Sequence, residues 1–181
     1  NDSLKAHWDH IYSTRGPEEV SWTEQVPKTS LAFIHQFAVP KNAAIIDIGG
    51  GDSKLADHLL AEGYTDISVL DISEAAIQRA KNRLGTAAAK VHWIVSDILS
   101  FVPARQYDLW HDRAAFHFQT DPEKIDEYLQ LVKKTVNGMV IIGTFSTDGP
   151  KKCSGLDVQQ YDEASMKAML EKASFKNAEC K

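Results

Sequence analysis

An acid, three consecutive glycines and a second acid stand at Asp47-Ile48-Gly49-Gly50-Gly51-Asp52. Glycines let a backbone turn sharply and approach a ligand closely. Asp71 follows the short run DISVL, twenty residues beyond Gly51. A carboxylate at that spacing accepts the hydroxyl hydrogens of a ribose. Asp97 follows a further run, VHWIV, and in the same layout reaches the exocyclic amine of an adenine. Read alone, Asp97 is equally a turn or helix-capping residue. The pyrophosphate patterns fail. With Gly49 and Gly51 as the first two glycines of G-x-G-x-x-G, the third position is Lys54, and no Gly-Lys-Ser/Thr follows. The loop is therefore suited to a nucleoside without a pyrophosphate, which speaks against a nicotinamide-dependent oxidoreductase.

These residues need strands to end where they stand. Ala43–Ile48 reads as a buried parallel strand closed by the glycines. A helix over Ser53–Ala61 follows, ended by Gly63. Asp66–Leu70 is a second strand, and Ser73 caps a helix that runs to Leu84 before Gly85. Val91–Val95 and Tyr107–His111 are the third and fourth strands. Asp121-Pro122 opens a helix to about Val136, Met139–Phe145 is a fifth strand and Asp162–Ala173 a further helix. A sixth strand is expected from Phe175. Strands alternating with helices imply an α/β, doubly wound, mostly parallel sheet with helices on both faces. Its ligand site lies outside the carboxyl ends of the strands.

The 181 residues fit one domain, with 1–40 as an N-terminal segment of short helices and loops and 41–181 as the sheet. Hydrophobic residues at 43% and charged residues at 25% suffice for a packed core. A formal net charge of −5 disfavours a nucleic-acid face. No apolar run approaches the roughly 20 residues of a membrane helix, and the first residues lack an apolar signal-peptide core. Cys153 and Cys180 form no CxxC pair, so neither a zinc site nor a disulfide scaffold is expected. No metal site is expected, and the chain reads as cytoplasmic.

Taken together these motifs resemble class I, seven-β-strand methyltransferases that use S-adenosylmethionine. The first family motif stands here as Asp47-Ile-Gly49-Gly50-Gly51-Asp-Ser53, with Ser53 in place of the third glycine. Asp71 and Ile72 match the ribose motif, Asp97-Ile98 the adenine motif, and His111-Asp112-Arg113 the motif beside the transferring methyl. The resemblance implies a Rossmann-like fold, S-adenosylmethionine as donor and S-adenosylhomocysteine as product. The family sheet ends in an antiparallel hairpin of strands six and seven, which is expected to be incomplete here.

His7-Trp8-Asp9, Tyr12, Arg15-Gly16 and Trp22 are similar to the entry segment of a subgroup that includes lysine methyltransferases of elongation factor 1A and citrate synthase. In that likeness Tyr12 and Trp22 cover the donor and Arg15 pairs with its carboxylate. Those enzymes carry Asp-Lys-Gly-Thr-x-Asp after strand four, where this chain has Asp112-Arg113-Ala114-Ala115-Phe116-His117. The Asp-Arg start is similar to thiopurine-type enzymes, which methylate small thiols. A small-molecule acceptor is therefore preferred to a protein lysine. His111 and His117 are the candidate proton acceptors near neutral pH, and Asp112 is a candidate to position a cationic acceptor. The alternative roles are a backbone hydrogen bond for His111, a satisfied helix histidine for His117 and a turn cap for Asp112.

Overall fold

The computed structural model describes residues 2–20, 22–113 and 115–181. Five parallel strands form one sheet in the order β3-β2-β1-β4-β5. They are β1 (Ala44–Ile48), β2 (Asp66–Asp71), β3 (Val91–Val95), β4 (Tyr107–Arg113) and β5 (Val136–Gly143). Every residue of β1 is buried, as a central strand covered on both faces must be. The helices are α1 (Asp2–Thr14), α2 (Lys28–Gln36), α3 (Leu55–Ala61), α4 (Glu74–Leu84), α5 (Pro122–Thr135) and α6 (Glu163–Lys172). The doubly wound α/β architecture expected from the sequence is the one observed.

Alternation along the strands divides the core in two. Ile46, Ile48 and Trp110 face one side, where Tyr128, Leu129 and Val132 of α5 and Met166 of α6 cover them. Ile45, Ile67 and Leu109 face the other, under Leu31 and Ile34 of α2 and Leu55 and Leu59 of α3. The third cluster is Trp8, Ile11 and Tyr12 of α1 against Ala76 of α4. Ser73 caps α4 as read from the sequence, its Oγ accepting from the Ala76 N–H at 3.2 Å. Among the described residues no helix is long and apolar enough to cross a membrane.

Three elements differ from expectation. β4 runs on past His111 to Arg113, so Asp112 and Arg113 belong to the strand instead of following it. β5 starts earlier and stops at Gly143. Its loop then forms a small hairpin of β6 (Lys152–Cys153) and β7 (Leu156–Asp157). The strand expected from Phe175 does not form. Ser174 and Asn177 take left-handed φ values of 64° and 57°, which interrupt an extended run. Phe175 instead closes α6: its N–H bonds the Leu170 carbonyl at 2.9 Å, and the Ser174 N–H bonds that of Glu171 at 2.8 Å. This is a Schellman ending with its usual apolar contact.

Candidate active site

The carboxyl ends of β1, β2 and β4 open on a cavity of about 110 Å³. Its floor is Ile48, Gly49, Asp71, Ile72, Asp97 and Ile98. Its roof is Leu4, Trp8, Tyr12 and Trp22, and its side is Arg113, Phe118, Gln119 and Cys153. Four of the acids and apolar residues expected at successive strand ends, Asp71, Ile72, Asp97 and Ile98, thus meet in one space.

Asp71 ends β2 and is buried. Its Oδ2 accepts from the Gly51 N–H at 3.0 Å and its Oδ1 from the Ser73 N–H at 2.8 Å. A Cβ at Gly51 would lie 2.8 Å from Asp71 Oδ2 and 2.7 Å from the Ala76 methyl, so only glycine admits this carboxylate. Burial is the largest influence on Asp71 and pushes its carboxyl up to about 6. The two backbone N–H groups work in the opposite direction. Gly49 has φ +66° and lines the cavity, as a close-approach glycine should. Asp97 takes the capping role considered for it and also lines the cavity. Its Oδ1 accepts from the Leu99 N–H at 3.1 Å, capping a 3-10 turn.

The roof is an aromatic group hung on α1. Trp8 meets Trp22 edge-on at 6.1 Å and Phe118 at 5.3 Å, and Tyr12 meets Trp22 at 6.4 Å. Two polar anchors hold it. Asp9 Oδ1 accepts from the Ser73 hydroxyl at 2.7 Å, tying α1 to the start of α4. Arg79 Nη1 donates to the carbonyls of Tyr12 at 3.0 Å and Arg15 at 2.9 Å, closing the end of α1. Ligand pockets usually measure about 300–1,000 Å³. At about 110 Å³ this cavity is smaller than that range.

Several expected site residues lie elsewhere. His111 is not at the cavity: its Nδ1 is 2.7 Å from Asp47 Oδ1 and its Nε2 is 2.8 Å from Ser30 Oγ, all three residues being buried. The strand register pairs Asp47 with His111, and both point to the α2 side of the sheet. Gly50 is buried over Asp47, and Gly51 serves through Asp71. Asp112 is fully buried on the α5 side. Its Oδ1 accepts from the Ala115 and Phe116 N–H groups, both at 2.9 Å, and its Oδ2 from the Tyr128 hydroxyl at 2.6 Å. That is the turn cap, not a seat for a cation. Burial pushes the Asp112 carboxyl up to about 6.

His117 is fully buried against Phe118 and Phe145, with neither ring nitrogen partnered among the described residues. Burial pushes it down to about 4, so it is a neutral ring at physiological pH and not a satisfied histidine. Arg15 is exposed and contributes its carbonyl to the Arg79 clamp. Ala114, part of the departure after β4, lies outside the described residues.

The structure adds residues to which the sequence reading gave no individual role. Arg113 lines the cavity, its Nη2 donating to the Trp22 carbonyl at 2.6 Å and its Nη1 lying 3.1 Å from Glu24. It is the last residue of β4 and shares the face of His111 by alternation, but it stands one pleat nearer the carboxyl end of the sheet, where the cavity opens. Phe118 and Cys153 had no such signal, because a loop and a two-residue hairpin strand bring them in.

Comparison with known proteins places this geometry. A family described as "Methyltransferase domain" matches residues 45–137, which run from β1 to the start of β5. The mouse protein "eEF1A lysine and N-terminal methyltransferase" is 28% identical over 92 residues, 51% of this chain and 13% of that one. "Malonyl-[acyl-carrier protein] O-methyltransferase 2" of Ilyobacter polytropus is 28% identical over 105 residues, 58% of this chain and 40% of that one. The chain thus spans a minor part of these relatives.

Among solved structures, a Burkholderia thailandensis 1,6-didemethyltoxoflavin-N1-methyltransferase with bound S-adenosylhomocysteine superposes with TM-score 0.67. It shares 16% identity and covers 95% of this chain and 74% of its own. Magnesium protoporphyrin IX methyltransferase from Synechocystis PCC 6803 gives 0.66 at 17% identity, covering 99% and 84%. At such identities the likeness is one of fold. The family match extends over half of the chain and over the whole floor of the cavity, and the chain belongs to the methyltransferase domain family.

Proposed function

We propose that the chain is an S-adenosylmethionine-dependent methyltransferase acting on a nucleophilic nitrogen, sulfur or oxygen of a small molecule, with S-adenosylhomocysteine as product. The observation that carries this reading is Asp71, buried at the end of β2, lining the cavity and admitted by Gly51. Each of its oxygens holds one backbone N–H, and each carboxylate oxygen has a second lone pair. Those two sites suit a ribose diol. Asp97, with Ile72 and Ile98, suits an adenine, and Gly49 lets the methionine portion approach the backbone. Arg113 takes the carboxylate role that the resemblance gave to Arg15. Tyr12 and Trp22 offer aromatic faces that suit a sulfonium cation. Family membership and the fold of the solved relatives support the same assignment.

The donor supplies an activated sulfonium methyl. The chain's task is alignment and exclusion of water. Residues 1–181 act as a single domain in this reading, with 1–40 as the cover. Two free cysteines and a net charge of −5 support a cytoplasmic protein without a nucleic-acid partner. The mouse relative keeps a protein-lysine acceptor as the second reading. Against it, the Asp112 carboxylate is fully engaged.

Calorimetric titration with S-adenosylmethionine, S-adenosylhomocysteine and NADH tests the proposal. Binding of both adenosyl compounds without NADH heat, abolished by Asp71→Ala, is the expected result. NADH binding, or unchanged affinity in Asp71→Ala, overturns it. Turnover of bound donor with an acceptor pool then separates an enzyme from a non-catalytic binding module.

A further inference from the structure

The cavity divides by charge. Its acidic and basic side chains are Asp71, Asp97 and Arg113, all at strand ends. The wall between α1 and the β6–β7 hairpin is Leu4, Trp8, Phe118, Gln119 and Cys153. None of these five carries a charge, and burial pushes the Cys153 thiol up, away from thiolate. Neighbouring carboxylates are held elsewhere. Asp9 accepts from Lys5 at 2.6 Å and from Ser73 at 2.7 Å. Asp52 lies 3.4 Å from Arg79 and 3.6 Å from Arg83. Asp112 is occupied by two backbone N–H groups and the Tyr128 hydroxyl. Burying an unpaired ion against such a wall is costly, whichever its sign.

We infer that this wall receives an uncharged aromatic portion of the methyl acceptor, with Trp8 and Phe118 as its apolar faces and Gln119 as its hydrogen-bonding partner. The inference rests on the methyltransferase reading above and narrows its acceptor. Edge-on contacts between Trp8 and Phe118 at 5.3 Å show that rings already pack in this region. In the transfer, the acceptor's lone pair forms the new bond to the methyl carbon. The carbon–sulfur bond breaks and its electron pair stays on sulfur. The acceptor's proton leaves to solvent, because His111, Asp112 and His117 are buried and none of them lines the cavity. An ammonium acceptor such as a lysine side chain finds no carboxylate among the five residues of this wall.

Three probes with one ring system test this: 2-naphthol, 2-naphthylmethylamine and 2-naphthoate, which are neutral, cationic and anionic at neutral pH. Each is titrated calorimetrically into the chain saturated with S-adenosylhomocysteine. The neutral probe is expected to bind at least about tenfold tighter than either ion. Equal or tighter binding of an ion, competition with S-adenosylhomocysteine, or no heat from any probe overturns the inference. Gln119→Glu places a carboxylate on the wall and is expected to move preference about tenfold toward the amine. Cys153→Asp does the same from the hairpin, should the first variant fail to fold. An unchanged ranking in the folded variant overturns the assignment of the wall. Loss of S-adenosylhomocysteine binding by the unmodified chain overturns the methyltransferase reading and this inference with it. Binding of that product with failed probes overturns this inference alone.

Discussion

Asp47 and His111 face each other across β1 and β4, with Oδ1 2.7 Å from Nδ1, and Ser30 of α2 takes the other ring nitrogen at 2.8 Å. The order of groups is that of a nucleophile, a base and an acid, yet all three residues are buried. The arrangement fastens α2 to the strand that carries the glycine loop. His111→Ala leaves a buried carboxylate without its partner and is expected to cost about 3–5 kcal/mol. Ser30→Ala removes one hydrogen bond and is expected to cost about 1 kcal/mol. Denaturant unfolding measures both. The pH profile of methyl transfer should keep its shape in folded Ser30→Ala, because Ser30, His111 and Asp47 are buried away from the cavity.

Donor affinity should fall on acidification through a single carboxyl. Asp71 is held up to about 6 by burial, so it becomes protonated well above the ordinary range for an aspartate. A protonated Asp71 offers one acceptor fewer to a diol. Affinity is therefore full above pH 6 and drops about tenfold per pH unit below it. Asp71→Asn should bind weakly at every pH and lose that slope. Titrations between pH 5 and 8 read both outcomes.

Two arginines compete for one role. Arg113 lines the cavity, whereas Arg15 is exposed and acts through its carbonyl. Arg113→Ala should weaken S-adenosylhomocysteine by about tenfold or more, the scale of a charge-assisted pair. Arg15→Ala should leave it within about twofold, since the carbonyl remains. Comparable losses in the two variants would return the carboxylate contact to Arg15.

His117 makes the fold sensitive to acid. Its ring is held down to about 4 by burial, against 6.5 for a free histidine. The unfolded chain therefore binds the proton first, and stability is lost as pH falls from 6.5 toward 4. The contribution at pH 5 relative to pH 7.5 is about 2 kcal/mol. His117→Phe should flatten that part of the stability profile, as followed by chemical unfolding at the two pH values.

The strand ends were legible because each motif acid follows an apolar run, and the sheet is built from such runs. Ser73 and Asp121 were legible as caps because hydroxyl and carboxylate oxygens satisfy first-turn N–H groups. The direction of His111 was not. The motif suggested a ring at the ligand end, whereas the register pairs His111 with Asp47 inside the sheet and strand β4 carries the chain two residues further, to Arg113 at the cavity. Phe175 looked like a strand start because it is aromatic, but the left-handed Ser174 before it makes it the end of a helix. The Asp9–Ser73 and Arg79–Tyr12 anchors join segments more than sixty residues apart and leave no local pattern to read.

The cavity takes its walls from Leu4 and Trp8 at one end of the chain and from Cys153 near the other. The His7 ring and the Ser154 carbonyl, 3.0 Å apart, join the same two regions across 147 residues. Contacts so distant in sequence close late, since the intervening chain must be ordered before they add stability. In refolding, sheet and helix signals should recover before the chain can hold a nucleoside. Ligand binding then marks the last step of folding, and a chain with its sheet formed and its ends still apart would be inert.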